Sequence, residues 1–254
     1  MEPGHTVLPT KHTEDFEVDS THLRAYTPFG EQPEGGWPAV LYIHGGGWTL
    51  GNISSEAPLI TNICVRARCV VMAVDYRLAP ENPYPAAVDD CVSALLWLVQ
   101  QGSEKLHINP TRIAVCGSSS GGNLAAVLAL KAPTIPIPKL ILQVLFIPII
   151  DNTATTETSW KSMKYAPFLT PSMMTWFRHQ YLPDPKTWTN WDASPLFASK
   201  EQLRTLPKTF FLLAECDILC EEAEQYAKQI KEEGVEVGVK IQKGAPHTGI
   251  LVER

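Results

Sequence analysis

The chain has 254 residues, of which 44% are hydrophobic, and its formal net charge is −6. This length is enough for one large α/β domain with a sizeable core. The acidic balance, without any cluster of Lys and Arg, argues against a nucleic-acid partner. The polar N-terminus lacks the apolar stretch of a signal peptide, and the longest apolar run, 140–150, is too short to cross a bilayer. We therefore expect a soluble, cytoplasmic protein with no integral membrane segment.

Strand-like apolar runs alternate with helical patterns along the chain. The predicted strands cover 23–26, 40–43, 70–74, 112–116, 140–146, 209–213 and 235–241. The predicted helices cover 56–67, 85–100, 122–130 and 221–233. This alternation predicts an α/β fold with a mostly parallel central sheet and helices on both of its faces.

One segment, 151–207, interrupts the alternation and is rich in Trp, Met, Pro and Thr. Within it, Thr170 and Pro171 are typical of an N-cap and of the first position of a helix. We expect this segment to be a cap or lid inserted into a single domain, 1–254, and to cover a binding pocket. The alternative is an ordinary helical connection that contributes aromatic side chains to the core.

The six cysteines form no C-x-x-C pair and show no zinc-ligand spacing. Several lie in apolar runs, where cysteine behaves as a small hydrophobic residue. We therefore expect free thiols, a reducing compartment and no metal site. The cysteines are Cys64, Cys69, Cys91, Cys116, Cys216 and Cys220.

The sequence Gly-Ser-Ser-Ser-Gly at 117–121 lies between a predicted strand and a predicted helix. A G-x-S-x-G sequence in this context is typical of a nucleophile elbow. Ser119 would then lie at the tip of a strained turn, where the flanking glycines leave space that a Cβ would fill. The alternative is a Ser/Gly-rich connection without catalytic use.

A second glycine cluster, Gly45 to Gly47, follows the predicted strand 40–43 and the histidine at its end, His44. Consecutive glycines expose backbone N–H groups, which can bind the negative charge that develops in acyl transfer. A flexible turn is one alternative; a phosphate loop is disfavoured because no G-x-x-x-x-G-K-[ST] pattern follows. We expect His44 to brace the loop by hydrogen bonding rather than to act as the base or bind a metal.

A serine nucleophile also needs a base and an acid. In enzymes with a nucleophile elbow of this kind, the chain order is Ser, then Asp or Glu, then His. Asp217 follows the predicted strand 209–213, and His247 lies in the loop after the last predicted strand. The order Ser119, Asp217, His247 therefore fits a catalytic triad. A helix N-cap is the alternative for Asp217, and a solvated loop histidine is the alternative for His247.

Together with the sequence Asp-Tyr-Arg-Leu-Ala-Pro-Glu at 75–81, these motifs resemble the hormone-sensitive-lipase-like branch of the α/β-hydrolases. The similarity extends from about residue 23 to the last residues. It implies an α/β-hydrolase fold with a cap over the active site, and carboxylic-ester hydrolysis that needs no metal or organic cofactor. It also implies three backbone N–H donors to the oxyanion, from Gly46, Gly47 and Ser120.

The sequence departs from that pattern in several places. The family usually has Asp before the nucleophile and Ala after it, whereas this chain has Ser118 and Ser120. Ser120 would still act through its backbone, but Ser118 removes a carboxylate. The family resemblance also implies that 75–90 is structural, with Arg77 paired with Glu81. The N-terminal cap helix and the closing helix after His247 are expected to be absent.

We predict a serine carboxylesterase that acts on a small to medium apolar ester, since 151–191 is rich in aromatic residues and Met. Two alternatives stay open. One is a non-catalytic, receptor-like protein that binds a small molecule on the same fold. The other is an amide or lactone hydrolase, or an acyltransferase of secondary metabolism. The expected partner is the small-molecule ester; the sequence leaves open whether the chain forms a homo-oligomer.

Overall fold

The computed structural model describes residues 6–250 and contains a sheet of eight strands. The spatial order is β1-β2-β4-β3-β5-β6-β7-β8; β2 pairs antiparallel with β1 and β4, and the other neighbours pair in parallel. The strands are β1 (His12–Val18), β2 (Thr21–Thr27), β3 (Trp37–Ile43), β4 (Val70–Asp75), β5 (Ile108–Ser118), β6 (Leu142–Phe146), β7 (Lys208–Cys216) and β8 (Val237–Pro246).

Within the described residues, six α-helices accompany the sheet, and short 3₁₀ turns lie between and after them. The helices are α1 (Ala57–Ala67), α2 (Ala86–Leu106), α3 (Ser120–Lys131), α4 (Pro171–Tyr181), α5 (Lys200–Leu203) and α6 (Cys220–Glu232). In the part of the chain that the structure describes, no helix is both long and apolar enough to cross a membrane.

Successive residues of the central strands point into different hydrophobic clusters, as strand geometry requires. In β4, Met72 belongs to a large cluster that includes residues of α2, α3 and α6, whereas Ala73 belongs to a smaller cluster that includes residues of α1. The sheet is therefore covered on both faces, and the predicted α/β fold is confirmed.

The sequence interpretation missed β1 and shortened α2. In β1 nearly every side chain is exposed or half-buried, so this edge strand lacks the apolar alternation that would reveal it. Helix α2 continues past the predicted end at residue 100 and ends where His107 takes a left-handed conformation with φ 54°. The next residue, Ile108, is the first of β5.

The expected pairing of Arg77 with Glu81 is wrong, because Arg77 binds Asp90 of α2 instead. Its Nη2 lies 2.8 Å from Asp90 Oδ1, and its backbone N–H donates to Asp90 Oδ2 at 2.8 Å. Asp90 is buried and so needs such donors. The segment after β4 is therefore tied to the start of α2, which supports its predicted structural role.

Two buried ionisable side chains hold the segment 151–207: Arg178 ties α4 to the start of the segment, and Glu222 ties that start to α6. Arg178 of α4 donates from Nη1 to the carbonyls of Asn152 and Ala154 and lies over the Trp160 ring. Glu222 of α6 accepts from the backbone N–H groups of 150 and 151 and from Trp160 Nε1. Trp160 is therefore a core residue. This agrees with the alternative interpretation of the segment, in which its aromatic side chains contribute to the core.

Burial raises the pKa of Glu222 from its ordinary value of 4.5 to about 8. Since the native state then binds more protons than the unfolded state between these values, stability should fall as pH rises from 4.5 to 8, by roughly 5 kcal/mol at most. Glu222→Gln cannot ionise and should lose this decline. Denaturant unfolding of both proteins at pH 5, 7 and 9 measures the difference; parallel pH profiles would contradict the prediction.

Candidate active site

Ser119 occupies a sharp turn between β5 and α3, with φ 52° and ψ −117°. This conformation is sparsely populated for a residue with a side chain and costs about 1–3 kcal/mol. Its N–H donates to the Phe146 carbonyl at 2.9 Å, and its carbonyl accepts from Asn123 N at 3.0 Å. A Cβ on Gly121 would collide with the backbone of β3 and His44. The turn therefore requires glycine there, as the predicted elbow does.

Ser119, His247 and Asp217 form a continuous chain of hydrogen bonds. His247 Nε2 lies 3.0 Å from Ser119 Oγ, and His247 Nδ1 lies 2.7 Å from Asp217 Oδ2. Asp217 is almost completely buried after β7, and His247 is buried in the 3₁₀ turn that follows β8. The other oxygen of Asp217, Oδ1, accepts from Leu219 N at 3.1 Å. Asp217 is not the N-cap of α6, because Leu219 occupies that position; its second oxygen instead holds the turn before the helix.

The glycine loop after β3 lies beside Ser119 at the same cavity. Gly46 and Gly47 have positive φ values of 121° and 60°, and a Cβ on Gly47 would collide with the Phe177 ring. Ser120 is the first residue of α3, so its N–H has no partner within the helix. The structure thus brings Gly46, Gly47 and Ser120 together around Ser119, where backbone donors are needed to bind an oxyanion.

His44 and Gly45 lie behind this loop. The His44 ring donates from Nδ1 to the Gly45 carbonyl at 2.7 Å and stacks on the Tyr76 ring with centroids 4.4 Å apart. Tyr76 Oη donates to the His44 carbonyl at 3.0 Å. Burial lowers the pKa of His44, so a neutral imidazole packs here and holds the loop. Within residues 6–250, no group of three or more His, Cys, Asp or Glu side chains could hold a metal ion.

The cavity at Ser119 has a volume of about 360 Å³. Its walls are mostly apolar, and its polar side chains come from the elbow, the histidine turn and the start of α1. Apolar contributors are Ile147, Ile149, Phe168, Leu169, Met173, Met174 and Phe177; polar side chains are Glu56, Ser118, Ser119, His247 and Thr248. Such a cavity suits a small, mainly apolar ligand whose reacting group lies at Ser119.

Glu56 is a polar residue of this cavity that sequence reasoning missed. The residue was placed inside a predicted helix, and it precedes α1 by one position. It is 62 positions away from Ser118, which it contacts. The one sequence signal for Glu56 was indirect: Ser118 stands where the family has Asp, so the carboxylate missing there could come from another part of the chain.

The fold and the hydrogen-bonded Ser, His and Asp define a hydrolase of the α/β class. A family model described as the α/β-hydrolase fold matches residues 40–251, and the chain belongs to this family. The resemblance to the hormone-sensitive-lipase-like branch, which the motifs indicated, is confirmed.

Two similar proteins and one solved structure extend this comparison. An AB hydrolase superfamily protein of Schizosaccharomyces pombe is 43% identical over 258 residues, covering 96% of this chain and 75% of that protein. The carboxylic ester hydrolase LipN of Mycobacterium tuberculosis is 37% identical over 251 residues, covering 91% of this chain and 64% of LipN. A crystal structure of a thermostable esterase from Pseudomonas putida has a TM-score of 0.87 and 35% identity, covering 94% of this chain and 75% of that one.

Proposed function

We propose that this chain is a serine carboxylesterase, and that it hydrolyses small to medium apolar esters through an acyl-enzyme. The observation that carries the proposal is the hydrogen-bond chain from Ser119 Oγ through His247 to Asp217. Similarity to LipN and to the Pseudomonas putida esterase, a carboxylic ester hydrolase and an esterase by name, supports the reaction class.

In this mechanism, Ser119 Oγ attacks the ester carbonyl while His247 Nε2 takes its proton. Asp217 orients the imidazole and stabilises its charged form. The N–H groups of Gly46, Gly47 and Ser120 bind the oxyanion, and His247 then gives its proton to the leaving alcohol. In the second half, His247 activates a water molecule that releases the acid from Ser119. No step calls for a metal or an organic cofactor.

We propose that the segment 151–207 is the cap of this site. It supplies Phe168, Met173 and Phe177 to the cavity, and α4 begins as predicted, with Thr170 Oγ1 accepting from Met173 N at 3.3 Å. An apolar cap over the nucleophile excludes water and favours an apolar acyl or alcohol group. Met side chains adapt to varied shapes, so the cavity suits a range of such groups.

A fluorophosphonate probe separates this proposal from the receptor-like alternative. Ser119 has an imidazole partner, whereas Ser118 and Ser120 are fully buried. The probe should therefore modify the protein once, and peptide mass spectrometry should find the adduct on Ser119 alone. The native protein should also hydrolyse p-nitrophenyl butyrate. An unlabelled protein that still binds the ester would favour the receptor-like function and overturn the proposal.

A further inference from the structure

The carboxylate that the family pattern has beside the nucleophile is replaced here by one from a different element. Ser118 Oγ donates to Glu56 Oε1 at 2.6 Å, and Tyr42 Oη donates to Glu56 Oε2 at 2.6 Å. Burial, together with the nearby Glu56, raises the pKa of Tyr42 well above its ordinary value, so this hydroxyl keeps its proton and donates. Although Glu56 is at the N-cap position of α1, its side chain makes no cap hydrogen bond.

This carboxylate lies next to both parts of the reaction site. Its partner Ser118 directly precedes the nucleophile. A Cβ on Gly45 would lie 2.9 Å from Ser118 Oγ and 3.4 Å from Glu56 Oε1, so the glycine loop packs against the pair. With two hydroxyl donors fixing its two oxygens, Glu56 has little freedom to turn away from the cavity.

Glu56 also determines the charge that a ligand meets in the cavity. Among the described residues that line it, Glu56 is the only carboxylate, and no Lys or Arg offsets its charge. The other walls of the cavity are mostly apolar and cannot solvate an ion. Consider a ligand whose negative charge lies roughly 8 Å from the Glu56 carboxylate, at an effective dielectric constant of about 20. It would bind roughly ten- to a hundredfold more weakly than a ligand with a neutral group there.

We propose that Glu56, held by Tyr42 and Ser118, is a specificity-determining residue that excludes esters with an anionic acyl group and admits neutral and cationic ones. The inference rests on the proposed esterase function, because it assigns a substrate preference to that same cavity. The Ser118 departure then has a functional consequence, because the negative charge comes from the N-cap residue of α1 and lies at the cavity.

Three p-nitrophenyl esters of equal chain length test this inference: the neutral hexanoate, the anionic monoester of adipate and the cationic 6-trimethylammoniohexanoate. Glu56→Gln keeps the shape of the side chain and removes its charge. The kcat/KM ratio of adipate monoester to hexanoate should rise roughly ten- to a hundredfold in this variant, and the ratio of the cationic ester to hexanoate should fall.

Ser118→Ala is the matched control, because it breaks the same hydrogen bond while the charge remains. Its two ratios should stay within about threefold of those of the native protein. Equal changes for all three esters in Glu56→Gln would overturn the inference, since a structural role would not distinguish charge. Ratios that shift in Ser118→Ala as they do in Glu56→Gln would also overturn it. Glu56→Met provides a second neutral side chain in case Glu56→Gln does not fold.

Failure of the esterase function itself would give a different result, namely no hydrolysis of the neutral ester by the native protein. The charge preference is then measured as binding of the three esters to Ser119→Ala, with and without Glu56→Gln, by tryptophan fluorescence. A selective gain in affinity for the anionic ester on loss of the charge supports the inference. Unchanged relative affinities overturn it.

Discussion

Ser119→Ala is expected to lower kcat for p-nitrophenyl butyrate by about 10⁵-fold or more. Without Oγ no acyl-enzyme can form, and only the backbone donors and binding would remain to accelerate attack by water. The folded state should change little, because the Ser119 hydroxyl bonds to His247 at the cavity and the backbone hydrogen bonds of the turn persist. Steady-state kinetics and thermal unfolding of the same preparation measure both effects.

A serine on the far part of α2 provides the matched control for this result. Ser103 is exposed and donates to the Ile108 carbonyl, away from the cavity. Ser103→Ala should therefore retain native kinetics and lose at most about 1 kcal/mol of stability. If Ser119→Ala kept more than about a hundredth of the native rate, another group would have to be the nucleophile, and the proposed mechanism would be wrong.

The order of buried strands and helices could be predicted because each has an apolar pattern of its own. Parallel strands buried on both faces, such as β3 and β4, appear as continuous apolar runs. The exposed edge strand β1 has no such pattern and was missed. The partner of Arg77 was also missed, because Asp90 approaches it only after α2 has folded back along β4. Pairing across elements depends on tertiary packing, which local sequence does not encode.

In the reaction site, too, some residues could be predicted from local sequence and others depend on tertiary packing. Glycine spacing, strand ends and chain order pointed to residues at one edge of the sheet, because parallel strands bring their carboxyl ends together there. The structure brings Ser119, His247 and the glycine loop to one cavity, with Asp217 hydrogen-bonded behind His247. Phe177 belongs to the aromatic, Met-rich segment that was expected to line the pocket, and it lies over Gly47. Glu56 carries no motif and enters from the start of α1. Its position follows from how α1 packs on the sheet, which no spacing reveals.

Asp217→Asn is expected to lower kcat by about 10⁴-fold while leaving stability nearly unchanged. The Leu219 N–H requires an acceptor, so the amide oxygen of the new side chain must face it. The amide NH₂ then faces His247 Nδ1, which accepts a hydrogen bond instead of donating one. This forces the proton onto Nε2, where it points at Ser119 and prevents the imidazole from acting as a base.

Asp217→Ala separates the two functions of the carboxylate. It removes the acceptor for the buried Leu219 N–H as well as the partner of His247, so it should lose about 1–3 kcal/mol of stability in addition to activity. Chemical denaturation of both variants, beside their kinetics, measures this contrast. Asp217→Asn with a rate within tenfold of the native protein would show that His247 does not depend on Asp217 for its tautomer.

The double variant Ser119→Ala/Asp217→Asn tests whether the two residues act as one unit. If Asp217 serves catalysis only by preparing His247 to accept the Ser119 proton, then removing it should have no further effect once Oγ is gone. The double variant should therefore be within a few fold of Ser119→Ala alone. Independent contributions would instead multiply to about 10⁹-fold. A measurable extra loss would mean that Asp217 and His247 also activate water directly, without the serine.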